Sequence, residues 1–103
     1  MTDLSNLLNH HRSIRKYKPD PIAPELVTQV CEDAIAGDSC SGNLNSVSLV
    51  LTRDAERKHR LNELHFEQPF VLEAPLVVTV CADWFRTREW LRRRGARDNF
   101  NNL

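Results

Sequence analysis

The amino-acid sequence predicts an α+β fold with about four helices and two strands. Apolar residues recur at helical spacing in four segments, whereas residues 47–52 place apolar side chains on alternate positions and residues 76–82 are apolar almost throughout. Both of the latter segments therefore predict strands. Because two strands do not make an independent sheet, we expect that another chain or a missing second half of the sequence supplies the rest.

The first predicted helix covers residues 3–11, where the leucines share one stripe and Thr2 or Asp3 can cap the first turn. We expect it to end near Arg12. The Tyr-Lys-Pro-Asp-Pro stretch at 17–21 then excludes regular structure, because each proline lacks an amide donor and pushes the preceding residue out of the helical region.

The second helix is the most strongly predicted one. Pro24 suits a first helical position, a stripe of apolar residues follows it, and Gly37 is a natural end. Residues 38–46 then form a polar loop rich in short side chains that can bond to backbone or ligand. Loops of this composition often carry function.

A strand and a third helix follow that loop. After the strand at 47–52, Asp54 can cap a helix that runs through about His65. Its spacing predicts that Leu61 and Leu64 face inward.

The remaining elements are a short turn, a strand and a last helix. Residues 68–73 are expected to add one further helical turn. The apolar run at 76–82 predicts a central strand that is buried on both faces. Asp83 can cap the last helix, which is expected to reach about Arg94 and to stop at Gly95.

Length and composition exclude several classes of protein. The chain has 103 residues and 14 Lys and Arg against 14 Asp and Glu, so one domain at most is expected and a generally polybasic nucleic-acid binder is disfavoured. The longest apolar runs are too short for a membrane span and no secretory signal is visible, which predicts no membrane partner and a cytoplasmic location. Three cysteines at unrelated spacings favour free thiols.

The charges are distributed unevenly along the chain. Residues 12–18, the first basic segment, carry four cations and no acid, and residues 86–97, the second basic segment, carry six arginines and one glutamate. Basic segments in an otherwise acidic chain indicate anion sites, although such runs also occur as solvated faces. These residues alone leave open a small anion- or nucleic-acid-binding module that uses the segments 12–18 and 86–97.

Other kinds of site are not predicted. His59 and His65 lie six residues apart on a predicted helix and do not share a face, so no metal site is expected. With three glycines in the chain, a glycine-rich phosphate loop is not expected either, and no hydrolase constellation is visible.

Five short motifs follow one another along the chain. His-His-Arg-Ser-Ile-Arg at 10–15 precedes an aromatic residue and two prolines, and Ser-Gly-Asn-Leu-Asn at 41–45 precedes a strand. Arg-Asp at 53–54 opens a helix, Gln-Pro-Phe-Val at 68–71 precedes Glu-Ala-Pro, and a strand ends in Cys-Ala-Asp at 81–83. In this order the motifs resemble the FMN-dependent nitroreductase family, and the His-Arg-Ser form resembles its NADPH-preferring, flavin-reductase-like branch.

The resemblance implies FMN as cofactor and NADPH or NADH as reductant. A flavin phosphate needs cations and its ribityl chain needs short polar groups, and the guanidinium groups of Arg12 and Arg15 flank the Ser13 hydroxyl. By resemblance, Arg15 would stabilise the reduced ring. The cofactor-binding residues that the resemblance implies lie in the first, second and fourth motifs or beside them: His11, Arg12, Ser13, Arg15, Cys40, Ser41, Asn43, Asn45 and Gln68.

The resemblance also implies the architecture and the reaction. The family fold is an α+β sheet sandwiched by helices in a homodimer, and residues 1–103 would be the N-terminal portion of such a domain, with the C-terminal half absent. The implied reaction is a ping-pong hydride transfer to nitroaromatics, quinones or free flavin, in which the flavin carries the chemistry and no residue is assigned as catalytic. The second basic segment would attract NADPH phosphates. This piece alone is expected to be inactive, and a family member that binds no flavin is a further alternative.

Overall fold

The computed structural model describes residues 2–38 and 46–97. Over these ranges the chain forms five helices and two strands, which confirms the α+β class. The helix beyond the four predicted ones is the short segment before the second strand, which the sequence predicts as one helical turn. The elements in chain order are α1 (Asp3–Asn9), α2 (Pro24–Gly37), β1 (Val47–Thr52), α3 (Ala55–Leu64), α4 (Pro69–Glu73), β2 (Val77–Ala82) and α5 (Phe85–Arg93).

The two strands pair antiparallel, from Val47 opposite Ala82 to Thr52 opposite Val77. Along β2 half-buried and exposed residues alternate, and Val78 and Val80 lie on the exposed face. The prediction that this strand is buried on both faces is therefore wrong for the described chain. An apolar run predicts burial only if material covers each face, and no described residue covers the face of Val80, whose exposure is 69%.

The helix ends follow the local sequence closely. The Thr2 hydroxyl accepts a hydrogen bond from the Ser5 amide at 3.2 Å, and the Asp54 carboxylate accepts one from the Arg57 amide at 2.9 Å. The N-cap residue of α5 is Trp84, whereas the sequence predicts Asp83. The helix ends before Gly95, whose φ of +69° is the left-handed conformation that glycine adopts without strain.

Few side chains are buried in the described chain. The buried apolar residues are Val27, Val71 and Ala74. The leucines of α1 are exposed, and Leu64 is 78% exposed, so the prediction that Leu64 faces inward is wrong. It is the last residue of α3, where the chain turns away and no described element covers it.

A lysine joins α3 to the end of α4. The Lys58 ammonium group donates to the carbonyl oxygens of Leu72 at 3.1 Å and Ala74 at 2.9 Å. Both carbonyls lie at the C-terminal end of α4, where a cation satisfies acceptors that the helix leaves open. This contact ties the end of α4 to α3. None of the described helices has the length and apolar character that a membrane crossing requires.

Candidate functional site

The first basic segment follows α1 as an exposed stretch without regular structure. Every residue from 11 to 18 is exposed and belongs to neither helix nor strand. The prolines at 19 and 21 disfavour helix over the residues next to them. The segment therefore presents its cations to solvent.

The two predicted arginines of this segment have different surroundings. The Arg12 guanidinium donates to the carbonyl oxygen of His11 at 2.7 Å and to that of Asn9 at 3.4 Å, so it is partly engaged with the end of α1. Within the described chain Ser13 and Arg15 make no hydrogen bond or ion pair. The donors of Ser13 and Arg15 are thus available to a ligand.

The predicted residue Gln68 lies on a tight turn between α3 and α4. Two residues before it adopt the left-handed conformation, Phe66 with φ +60° and Glu67 with φ +54°. The carbonyl oxygen of Asn62 accepts the amides of both His65 and Glu67 at 2.9 Å, which holds the turn in place. The Gln68 side-chain amide donates to the Phe66 carbonyl oxygen at 3.4 Å. The sequence offers no signal for this turn, because no glycine stands at either left-handed position.

An apolar cavity lies between the end of the first basic segment and the start of α4. It has a volume of about 630 Å³ and is lined both by Tyr17 and Lys18, which follow Arg15, and by Phe70 and Val71, which follow Gln68. The structure does not place Arg15 or Gln68 in its lining. The sequence did not predict this cavity, although part of its apolar lining comes from the residues that follow the first basic segment, Pro21, Ile22 and Ala23. The other lining residues are Asp20, Leu26, Ala74, Pro75, Leu76, Val77 and Val78.

The second basic segment is built differently, since most of it forms α5. The Glu89 carboxylate accepts hydrogen bonds from Arg92 Nε at 3.0 Å and from Arg93 Nε at 3.0 Å. The Arg92 and Arg93 guanidinium groups lower the pKa of Glu89 from 4.5 to about 2. Glu89 is therefore ionised at neutral pH and neutralises part of the charge of this helix.

A polar cluster ties the start of α5 to the sheet. The Ser48 hydroxyl donates to the Asp83 carboxylate, which also accepts the Phe85 amide at 3.1 Å. These two hydrogen bonds, together with the nearby Arg86 cation, lower the pKa of Asp83. The Asp83 amide in turn donates to the Ser46 carbonyl oxygen at 2.7 Å. The predicted role of Asp83 is thus partly realised, because its carboxylate bonds the first amide of α5.

Four predicted cofactor-binding residues, Cys40, Ser41, Asn43 and Asn45, lie outside the described residues. The predicted residues that the structure describes fall into two groups. His11, Arg12, Ser13 and Arg15 are consecutive or nearly so, and Gln68 stands apart on its turn. The chemistry of the first group fits a phosphorylated flavin, since a free guanidinium and a free hydroxyl can donate to a phosphate or to an electron-rich ring edge.

Comparisons with known proteins identify the family of the chain. A model described as the nitroreductase family matches residues 8–97. The FMN reductase [NAD(P)H] of Bacillus subtilis (strain 168) is 35% identical over 88 residues, which are 85% of this chain and 35% of that protein. The NADPH-dependent oxidoreductase of Staphylococcus saprophyticus is 35% identical over 81 residues, which are 79% of this chain and 32% of that protein.

The fold is also similar to that of a solved oxidoreductase structure. The hypothetical oxidoreductase YcnD from Bacillus subtilis superposes with a TM-score of 0.90 at 31% identity and covers 99% of this chain and 41% of its own. The chain spans about a third of the length of the curated relatives that it matches.

Proposed function

This chain belongs to the nitroreductase family, and from that premise we propose that the protein containing it is an FMN-dependent NAD(P)H oxidoreductase. Its acceptors would be nitroaromatics, quinones or free flavin, reduced in a ping-pong reaction. The observation that carries the proposal is the family match over residues 8–97, which includes both the first basic segment and the Gln68 turn. The relatives named for FMN and NAD(P)H support the same cofactor and reductant.

The first basic segment would hold the flavin. Ser13 and Arg15 have no partners within the described chain, so neither has to give up a hydrogen bond to the protein in order to bind a phosphate or a ring edge. Arg12 would keep one bond to the end of α1 while its remaining donors face the ligand. His11, Gln68 and the loop residues Cys40, Ser41, Asn43 and Asn45 complete the proposed set. FMN, when bound, supplies the hydride-transfer chemistry, so no protein acid or base is required.

The assembly and location follow from the same proposal. We infer that residues 1–103 form the N-terminal portion of a larger nitroreductase domain, which acts as a homodimer in the cytoplasm. Support comes from the exposed face of β2, where Val78 and Val80 are uncovered, because apolar side chains on a sheet face normally pack against another layer. Neither the described geometry nor the family match favours the alternative of a nucleic-acid-binding module.

The test is to purify the protein, remove small molecules by desalting and record its absorption spectrum. We expect a flavin spectrum that survives desalting and FMN-dependent oxidation of NADPH with a nitroaromatic acceptor. Residues 1–103 produced alone are expected to show neither, because most of the sheet and the rest of the proposed nitroreductase domain would be missing. A desalted full protein without flavin, whose nucleic-acid affinity falls steeply with salt, would contradict the proposal and support the alternative.

A further inference from the structure

Phe66 is the most exposed large apolar side chain in the part of the chain that the structure describes, with 88% of its surface open. A single exposed apolar residue is ordinary in soluble proteins. The backbone beneath this one is unusual. With a φ of +60°, Phe66 adopts a conformation that bulky side chains rarely take, and the next residue, Glu67, does the same.

The surroundings of the turn hold this conformation. Asn62 is buried, with 6% exposure, and its carbonyl oxygen accepts the Glu67 amide at 2.9 Å. The Gln68 side chain donates to the carbonyl oxygen of Phe66 itself. An outlier that is held by such contacts is a reason to suspect function at the position. The turn therefore holds the Gln68 side-chain amide against the backbone of Phe66, whose ring is exposed two residues before Gln68.

We propose that Phe66 is a specificity-determining contact for planar aromatic acceptors. The inference rests on the proposed function, because it takes Gln68 as a flavin contact. A phenyl ring presented at the edge of a flavin site offers an apolar face on which a nitroaromatic ring can stack or pack edge to face. The polar side chains of Gln68 and Glu67, its neighbours in the turn, supply no such surface. Acceptors without an aromatic ring gain nothing from Phe66.

The experiment compares two glycine variants in the flavin-loaded full protein. Phe66→Gly and Glu67→Gly each place glycine at a position with left-handed backbone, a conformation that glycine adopts without strain, so neither variant is expected to lower the melting temperature. Only Phe66→Gly removes the ring. We expect it to raise the KM for nitrobenzene roughly two- to tenfold and to leave the KM for ferricyanide unchanged. Glu67→Gly should leave both values unchanged, and Phe66→Tyr should keep the wild-type value for nitrobenzene.

Binding without turnover gives a second measurement. Nitrobenzene is titrated into the oxidised protein in the absence of reductant and followed by the change in flavin absorbance. Its dissociation constant should rise in Phe66→Gly in proportion to the KM. Leu64 is also exposed, so Leu64→Ala shows whether Phe66 belongs instead to an interface with another chain.

Three results would overturn the proposal. The first is an unchanged nitrobenzene KM in Phe66→Gly. The second is an equal rise in Glu67→Gly, which would assign the effect to turn geometry. In the third, Phe66→Gly and Leu64→Ala both weaken self-association in sedimentation and acceptor binding stays intact. A wild-type protein that retains no flavin refutes the proposed function as well, whereas a flavin-loaded protein with any of the three results refutes this inference alone.

Discussion

The two basic segments have similar compositions and different electrostatic states. In the first, residues 12–18, the Arg15 guanidinium has no partner within the described chain. In the second, residues 86–97, Glu89 binds both Arg92 and Arg93, and Arg86 approaches the Ser48 hydroxyl at 3.5 Å. No acid pairs with the cations of the first segment within the described chain, whereas in the second segment Glu89 pairs with two of the six arginines.

Backbone conformation accounts for the difference. In a helix, residues three and four positions apart are neighbours, so one carboxylate reaches Arg92 and Arg93 together. The first segment forms no helix and contains no acid, and within the described chain none of its cations makes an ion pair with a carboxylate. The number of cations in a segment is thus a poor guide to ligand binding unless the local geometry of the acids is known.

The largest expected effect is that of removing Arg15. In the flavin-loaded protein, Arg15→Ala should weaken FMN binding roughly ten- to a hundredfold, because a hydrogen bond to a charged group contributes about 1.5–3 kcal/mol. The dissociation constant is measured by titrating FMN into apoprotein from which the flavin has been removed under denaturing conditions and which has then been refolded, and flavin fluorescence is followed. Lys16→Ala, which removes a neighbouring cation outside the proposed set, is the matched control and should change the constant little. Equal losses in both variants would mean that the segment acts only through its overall charge.

The sequence predicts elements better than it predicts their surroundings. Helix ends such as Thr2 and Asp54 depend on neighbouring residues alone, and they were predictable for that reason. Burial of β2 and of Leu64 depends on what packs against them, which local spacing does not contain. The assumption that an apolar run is covered on both faces therefore failed.

The candidate site shows the same division. The motif order pointed to His11, Arg12, Ser13, Arg15 and Gln68, yet no pattern in the sequence indicated the left-handed turn before Gln68. A count of charges also does not show that Glu89 pairs with Arg92 and Arg93. The spacing of three and four residues on a helix does predict such pairs.

A smaller effect is expected from reversing charge in the second segment. Arg92→Glu with Arg93→Glu should raise the KM for NADPH roughly three- to tenfold, if this helix attracts the phosphates of the reductant. The expected change is smaller than for Arg15→Ala because Glu89 already binds both Arg92 and Arg93. Steady-state kinetics with NADPH measure the change, and the double variant Arg57→Glu with Arg60→Glu on exposed positions of α3 is the control for the same change in net charge. An unchanged KM would leave the second segment with a structural role only.

The smallest expected effect comes from Glu89→Gln, which makes the second segment resemble the first. Freed of their carboxylate partner, Arg92 and Arg93 should bind NADPH somewhat more tightly, and the melting temperature at pH 7 should fall slightly because the ion pairs are exposed and solvent-screened. The pKa of Glu89 is lower in the folded protein, about 2, than its ordinary 4.5, so its contribution to stability is complete above pH 4.5 and is lost as the pH falls toward 2. Melting temperatures of wild type and variant should therefore differ at pH 7 and converge on acidification. A difference that stays constant from pH 7 to pH 3 would show that the side chain stabilises α5 by packing rather than by charge, and the contrast between the two basic segments would then rest on the first segment alone.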